Sequence, residues 1–295
     1  MYPIINPYEN ILVINLQKRT DRLINVYKQL DSVNLSDVII RIKAINSDDA
    51  YKYIDRLSVG ACSNIIEMTS TSIIPNMAAF GCVLSHMKCW KYMIDNNLYD
   101  GIIVEDDILI KDPYFFNFDL CVIKNHILRD MKTRNNQPIF LAINPKIKNH
   151  VIPIDDYYGY MSDDYYGYMS DNADIVKNKV YQLTKPFTGT QFYYINIHMA
   201  KYLLDNFTEL TFQIDIQIGF LAYKDRYTNM FYAYNTDNLE ATGLGSDIQT
   251  YIIDLFYLKK CLRDIRNIPE SVTNIIYTYL PDIMKGSSAN HNHLL

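Results

Sequence analysis

The sequence predicts an α/β fold in which a mostly parallel sheet is covered by helices. Short β-branched runs without interleaved polar residues, at Ile11 to Ile14 and at Ile102 to Val104, suit strands buried on both faces. Polar clusters end these runs, and segments with apolar residues at helical spacing lie between them, which is the alternation of strand and crossover helix.

Residues 10 to 16, NILVINL, predict the first strand, and it ends in the polar sequence QKRTDR. Leu23, Val26, Tyr27 and Leu30 then recur at helical spacing with Thr20 placed as N-cap, so Arg19 and Arg22 sit where the turn faces the carboxyl edge of the sheet. VIIRIKAI, residues 38 to 45, predicts the next strand, followed by the cluster NSDDA. A weakly patterned stretch runs to about Pro75. Phe80, Val83, Leu84, Met87, Trp90 and Ile94 then mark one face of a helix ending near Asn96, with Ser85 and His86 as polar inserts. Adjacent helical residues do not face each other, so Ser85 and His86 form no catalytic dyad by themselves.

That helix leads directly into GIIVEDDILI, residues 101 to 110, where an apolar run breaks into Glu105, Asp106 and Asp107. In open α/β sheets ligands bind in the crevice outside the carboxyl ends of the strands, so acids placed there face a site. Side-chain alternation sets Glu105 and Asp107 on one side and Asp106 on the other, giving two carboxylates able to hold one hard divalent cation. Taken alone, the triplet reads first as a solvated loop after a strand, and the motifs around it turn the reading toward a site. Farther on, PIFLAI (138 to 143) and TGTQFYYINI (188 to 197) predict strands, the second running into the helix HMAKYLLDNF. Asp215 opens the helical pattern IDIQIGFLAY, where a carboxylate at a helix N-terminus is electrostatically at home without any catalytic duty. NMFYAYN (229 to 235) predicts the last strand. Ser246 and Gln249 form a capping box before a helix through Tyr251 and Leu255, and a short amphipathic helix follows Pro269. The octapeptide DDYYGYMS occurs twice in tandem, at 155 to 162 and 163 to 170. Too short for a solenoid unit, it reads as a duplicated surface loop, with an aromatic platform of Tyr157, Tyr158, Tyr165 and Tyr166 as the functional alternative.

The net charge of −5 gives no broad basic field, which argues against nucleic acid as a partner. Five cysteines without a CxxC pair argue against a structural zinc and a complete disulfide framework, and a reducing compartment fits best. No basic leader or membrane-length apolar run is present, so the expected location is cytoplasmic.

Four segments in this order, INLQKRTDR, GCVLSHMKCW, IIVEDD and a late SDIQ, resemble glycosyltransferase family 25, which includes bacterial lipooligosaccharide and collagen hydroxylysine galactosyltransferases. The matching residues are Asn15, Leu16, Arg19, Asp21, Arg22, Gly81, Cys82, Ser85, His86, Trp90, Glu105, Asp106 and Asp107. FTGTQFYYIN and Ile214-Asp215 match more weakly. Two departures bear on the donor sugar: NSDD stands where the family has Asp-Gly, and Ala79 and Phe80 replace a Glu before Gly-Cys.

The resemblance implies a GT-A fold, a Rossmann-like mostly parallel sheet flanked by helices. With it the expected catalytic domain runs over residues 1 to 250 with the 155 to 170 insertion, and the residue pattern adds C-terminal helices over 251 to 285 and a disordered tail over 286 to 295. The resemblance also implies a UDP-sugar donor and a glycan, glycoprotein or collagen-like acceptor. Metal binding by Asp107 and Glu105, with Mn²⁺ or Mg²⁺, follows from the same resemblance. So do donor contacts from Asn15, Leu16, Arg19, Arg22, Ser85, His86 and Asp106, inversion at the anomeric carbon, and Asp215 as general base. The rival reading is a catalytically silent domain that binds carbohydrate or protein.

Overall fold

The computed structural model describes residues 10–67, 70, 72–133, 137–147, 180–183, 187–226, 228 and 230–242. The DDYYGYMS repeat, the helices expected over 251 to 285 and the terminal tail lie outside the described residues.

The chain opens with β1 (Ile11–Asn15), α1 (Thr20–Asp31) and β2 (Ile39–Lys43), followed by the helices α2 (Ser47–Ala50), α3 (Val59–Glu67) and α4 (Met77–Asp95). The acidic stretch supplies β3 (Asp100–Glu105) and β4 (Ile108–Ile110), and α5 (Pro113–Thr133), β5 (Phe140–Ile143) and β6 (Lys146–Ile147) come next. β7 (Val180–Gln182), β8 (Phe187–Thr188), β9 (Phe192–Asn196), α6 (Ile197–Asn206), α7 (Ile214–Lys224), β10 (Phe231–Tyr234) and β11 (Leu239–Ala241) complete it. The described residues fall into two compact units, one drawn from those between 10 and 44, 85 and 206, and 214 and 242, the other from those between 45 and 84 and between 207 and 213.

The first unit is built on a seven-stranded sheet in the order β2-β1-β3-β9-β5-β10-β7. β2, β1, β3, β5 and β10 run one way, while β9 and β7 oppose them. The sheet is therefore mostly parallel and Rossmann-like, the fold class the sequence predicts. Every residue of β1, β5, β9 and β10 is buried, because helices cover both faces. Alternation sends Ile11, Val13, Ile102, Val104, Phe192 and Tyr194 to one face, where they share a core with Val26 and Leu30 of α1 and Phe116 and Leu120 of α5. Tyr193 points to the other face and stacks on Phe140 at 5.1 Å between ring centres.

Three local features differ from the sequence expectations. Thr20 is the first helical residue and Arg19 holds the cap position, without a side-chain cap bond. α3 lies within the stretch that showed little pattern. β11 forms inside TDNLEATGLG because it pairs antiparallel with β4, Leu239 opposite Ile110 and Ala241 opposite Ile108. The segment before β11 is held by the buried carboxylate of Asp119, which accepts from Tyr234 Oη (2.6 Å), Thr236 Oγ1 (2.5 Å) and Asn238 Nδ2 (2.9 Å).

In the second unit, Asn64 on α3 is a buried polar hub. Its Nδ2 donates to the carbonyls of Ser70 and Ile74, and its Oδ1 accepts from the Ser70 N–H, which fixes the chain leading to α4. Gly81 lets α4 pass close to the backbone after β2, since a Cβ there would lie 2.4 Å from the Ile45 carbonyl oxygen. Helix propensity alone favours alanine over glycine by about 1 kcal/mol. The contact reverses that sign, so Gly81→Ala should lower the unfolding free energy by roughly 1–3 kcal/mol in urea titration. A stabilised variant would show that the approach is loose.

Candidate active site

β1 and β3 lie side by side and parallel, with Ile14 opposite Glu105, so their carboxyl ends deliver Asn15 and the three acids to one place. β9 joins β3 from the other side in the opposite direction, and its amino end therefore arrives at the same edge. The Glu105 N–H donates to the Gln191 carbonyl at 2.9 Å, which locks this arrival.

The three acids face three different environments. Asp106, the most buried of them, accepts from Asn15 Nδ2 at 2.5 Å and pairs with Arg22 Nη1 at 3.0 Å, both partners being buried. Asn15 is itself held, donating to the Arg19 carbonyl at 3.0 Å and accepting from Arg41 Nη2 at 2.7 Å. Burial raises the Asp106 carboxyl above its ordinary value, although the Asn15 and Arg22 donors draw it down.

Glu105 points the other way. Its Oε1 accepts from Thr190 Oγ1 at 2.9 Å and lies 3.4 Å from His86 Nε2. Burial pushes this carboxyl up, and the His86 ring, the Thr190 hydroxyl and the Arg22 charge together outweigh that push, leaving it below the usual value. Asp107 follows in the turn before β4. Its carbonyl accepts from the Thr242 N–H just past β11, while its Oδ1 is buried with no hydrogen bond. Burial, then the neighbouring Glu105 charge, push the Asp107 carboxyl up to about 7, with Asp106 adding to the push and Arg22 opposing it.

The remaining sequence candidates occupy distinct places. Leu16 lies in the turn after β1, where its carbonyl accepts from the Arg19 N–H at 3.0 Å. Arg19 pairs with the exposed Asp21 at 2.9 Å, which holds the Asp21 carboxyl down at about 2. Ser85 and His86 are buried on α4. Asp215, in the first turn of α7, accepts from the Ile216 N–H at 2.8 Å and from the Gly189 N–H at 3.0 Å. Gly189 has φ +100, a conformation that favours glycine, and it directs Thr190 toward Glu105. Asp215 is thus tied to the acids through a single turn.

Thr190, Tyr193, Arg41 and Thr242 touch this constellation without having been singled out in the sequence. Thr190 stands in the segment FTGTQFYYIN, where its resemblance was a usable signal. Tyr193 stands in the same segment, whereas Arg41 and Thr242 carried none.

The segments that build this edge have a matching family. The model described as glycosyltransferase family 25 (LPS biosynthesis protein) matches residues 8–218. The chain belongs to that family. The match runs from before β1 into α7 and includes Asn15, Arg22, His86, the three acids and Asp215. It makes the protein a glycosyltransferase, an enzyme that takes a sugar from a nucleotide-sugar donor to a glycan acceptor. A search of curated proteins finds no match to the chain. Among the described residues, no helix is long and apolar enough to cross a membrane.

The donor set fits a divalent cation of the kind the resemblance implies. A buried carboxylate oxygen lacking a hydrogen bond, beside two further acids, is an electrostatic deficit that such an ion removes. Without metal, the folded protein holds the Asp107 proton up to about pH 7, whereas the unfolded chain releases it near 4. The contribution of this group to stability therefore falls as pH rises through that window. In EDTA, Asp107→Asn should exceed the wild type in stability by on the order of 2 kcal/mol at pH 8, and the gap should narrow toward pH 5. A gap independent of pH, read from denaturant curves at both values, would show that Asp107 is not strained by its neighbours.

Proposed function

We propose that the protein is an inverting, metal-assisted transferase that moves a hexose, galactose or glucose, from a UDP-sugar onto a saccharide or hydroxylysine-type acceptor. The observation that carries this reading is the buried, unbonded Oδ1 of Asp107 beside Glu105 at the carboxyl edge of the sheet. Mn²⁺ or Mg²⁺ held by Asp107 and Glu105 would supply the positive charge that a departing diphosphate requires. Asn15, Arg22 and Asp106 act as the frame that holds the acidic turn, and Arg19, at the turn after β1, is placed to give charge-assisted hydrogen bonds to the diphosphate. Ser85 and His86 would line the donor pocket.

Inversion is a single displacement. The acceptor hydroxyl oxygen forms a bond to the anomeric carbon while the bond from that carbon to the diphosphate oxygen breaks, and the hydroxyl proton passes to Asp215. The two backbone N–H donors on Asp215 hold its carboxylate in one orientation, as a base must be held.

Calorimetry with UDP should show binding that is at least tenfold stronger with Mn²⁺ than with EDTA, because diphosphate and carboxylates repel without a cation between them. Asp107→Asn should remove both that difference and sugar transfer. Equal UDP affinity in the two buffers would take the metal out of the proposal.

Asp215→Asn should lower transfer by roughly a hundredfold or more while Mn²⁺-dependent UDP binding persists. Unchanged turnover would leave Asp215 as a helix-start residue and move the base to Asp237 or Glu240, or to Asp247, which lies outside the described residues.

A further inference from the structure

Behind Glu105 a chain of polar groups runs through the interior. His86 and Trp90 are four residues apart on α4 and so project from the same face, toward β9. There they meet one hydroxyl: Tyr193 Oη lies 3.0 Å from Trp90 Nε1 and 2.9 Å from His86 Nδ1. None of the three side chains has measurable exposure.

Proton inventory fixes the direction of these bonds. An indole N–H can only donate, so the Tyr193 oxygen accepts from Trp90. The hydroxyl carries a single proton, and His86 Nδ1 is its acceptor if that nitrogen is bare. Were Nδ1 protonated instead, two N–H groups would aim at one oxygen and the hydroxyl proton would have to turn from both. At the far side of the ring, Nε2 lies 3.4 Å from Glu105 Oε1. Nε2 makes no hydrogen bond, so the contact is electrostatic only: a lone pair there would face a carboxylate, whereas an N–H would be attracted to it. Both ends of the imidazole thus favour the same form.

We propose that Tyr193 is a positioning residue that fixes His86 as the neutral Nε2–H tautomer, so that a proton rather than a lone pair faces Glu105 and the carboxylate keeps its full charge. The opposite tautomer would set a lone pair against Glu105 and turn it away, and a charged ring would cancel the negative charge that a cation needs. Its consequence for metal binding rests on the proposed function, whereas the tautomer itself does not. Outer partners of this kind commonly change metal affinity by about tenfold to a hundredfold when removed.

The test uses the full chain labelled with ¹⁵N-histidine, the His86 signals being assigned by their loss in His86→Gln. Wild type should show a bare Nδ1 and a protonated Nε2 at pH 7.5, a value chosen for the assay. Tyr193→Phe keeps the ring that stacks on Phe140 and removes the hydroxyl, and a protonated Nδ1 should appear. Trp90→Phe removes the indole donor but leaves the O–H to Nδ1 bond, so the tautomer should stay as in wild type. A protonated Nδ1 in wild type, or an unchanged ring in Tyr193→Phe, overturns the proposal. The wild-type spectrum alone can overturn it if Tyr193→Phe fails to fold. Mn²⁺ titration followed by electron paramagnetic resonance is the second readout: affinity should fall about tenfold in Tyr193→Phe and by less than twofold in Trp90→Phe. Equal affinity of wild type and Tyr193→Phe overturns the link to the metal. Failure of wild type to bind Mn²⁺ overturns the metal-assisted reading instead, and the nitrogen spectra still decide the tautomer.

Discussion

Three carboxylates in consecutive positions repel one another, and the fold resolves that repulsion by giving each a different neighbour. The decisive partner is Arg22, whose buried ion pair with Asp106 removes the central charge from the competition. A buried pair of this kind contributes little net stability compared with apolar packing, yet loss of one member typically costs about 3–5 kcal/mol because the other is stranded. Arg22 and Asp106 therefore act on specificity of structure more than on its depth. They pin the turn after β3 against the turn after β1, and the placement of Glu105 and Asp107 follows.

The direction of β9 matters almost as much. In a wholly parallel sheet the neighbour of β3 would bring its carboxyl end and the turn after it to this edge, as β1 does. An antiparallel strand brings its amino end and the turn before it, and that turn carries Thr190. Asp215 reaches the same turn through Gly189, so two acids far apart in sequence are joined by two residues of backbone. A carboxylate that shapes the turn beside Glu105 is also the one proposed to receive a proton, which places the two functions under one geometric constraint.

Much of this was legible in the chain. The β-branched runs of β1 and β3 and the helical face of α4 announced themselves because burial on both faces, or on one stripe, leaves a periodic mark. The acids at the end of β3 were legible for the opposite reason, as charges where the pattern has no room for them. The orientation of β9 was not, since FYYIN buried on both faces looks alike in either direction and only its pairing decides. α3 was hidden because Gly60, Ser63 and Asn64 interrupt the apolar pattern, Asn64 being buried for its hydrogen bonds. β11 is three residues long and exists through its pairing with β4, so no local preference could reveal it. Tyr193 was invisible as a functional residue, because a buried tyrosine in a strand looks like core until its hydroxyl is traced.

Trp90 is the single tryptophan of the chain, and its indole N–H ends on the hydroxyl that also meets His86. The molecule thereby carries one indole chromophore, shielded from solvent and linked through Tyr193 and His86 to the acidic edge. Its emission has no other indole to dilute it. Events at Glu105 are thus optically addressable in the unlabelled protein, and a residue that reads as core packing doubles as a reporter of the site it stands behind.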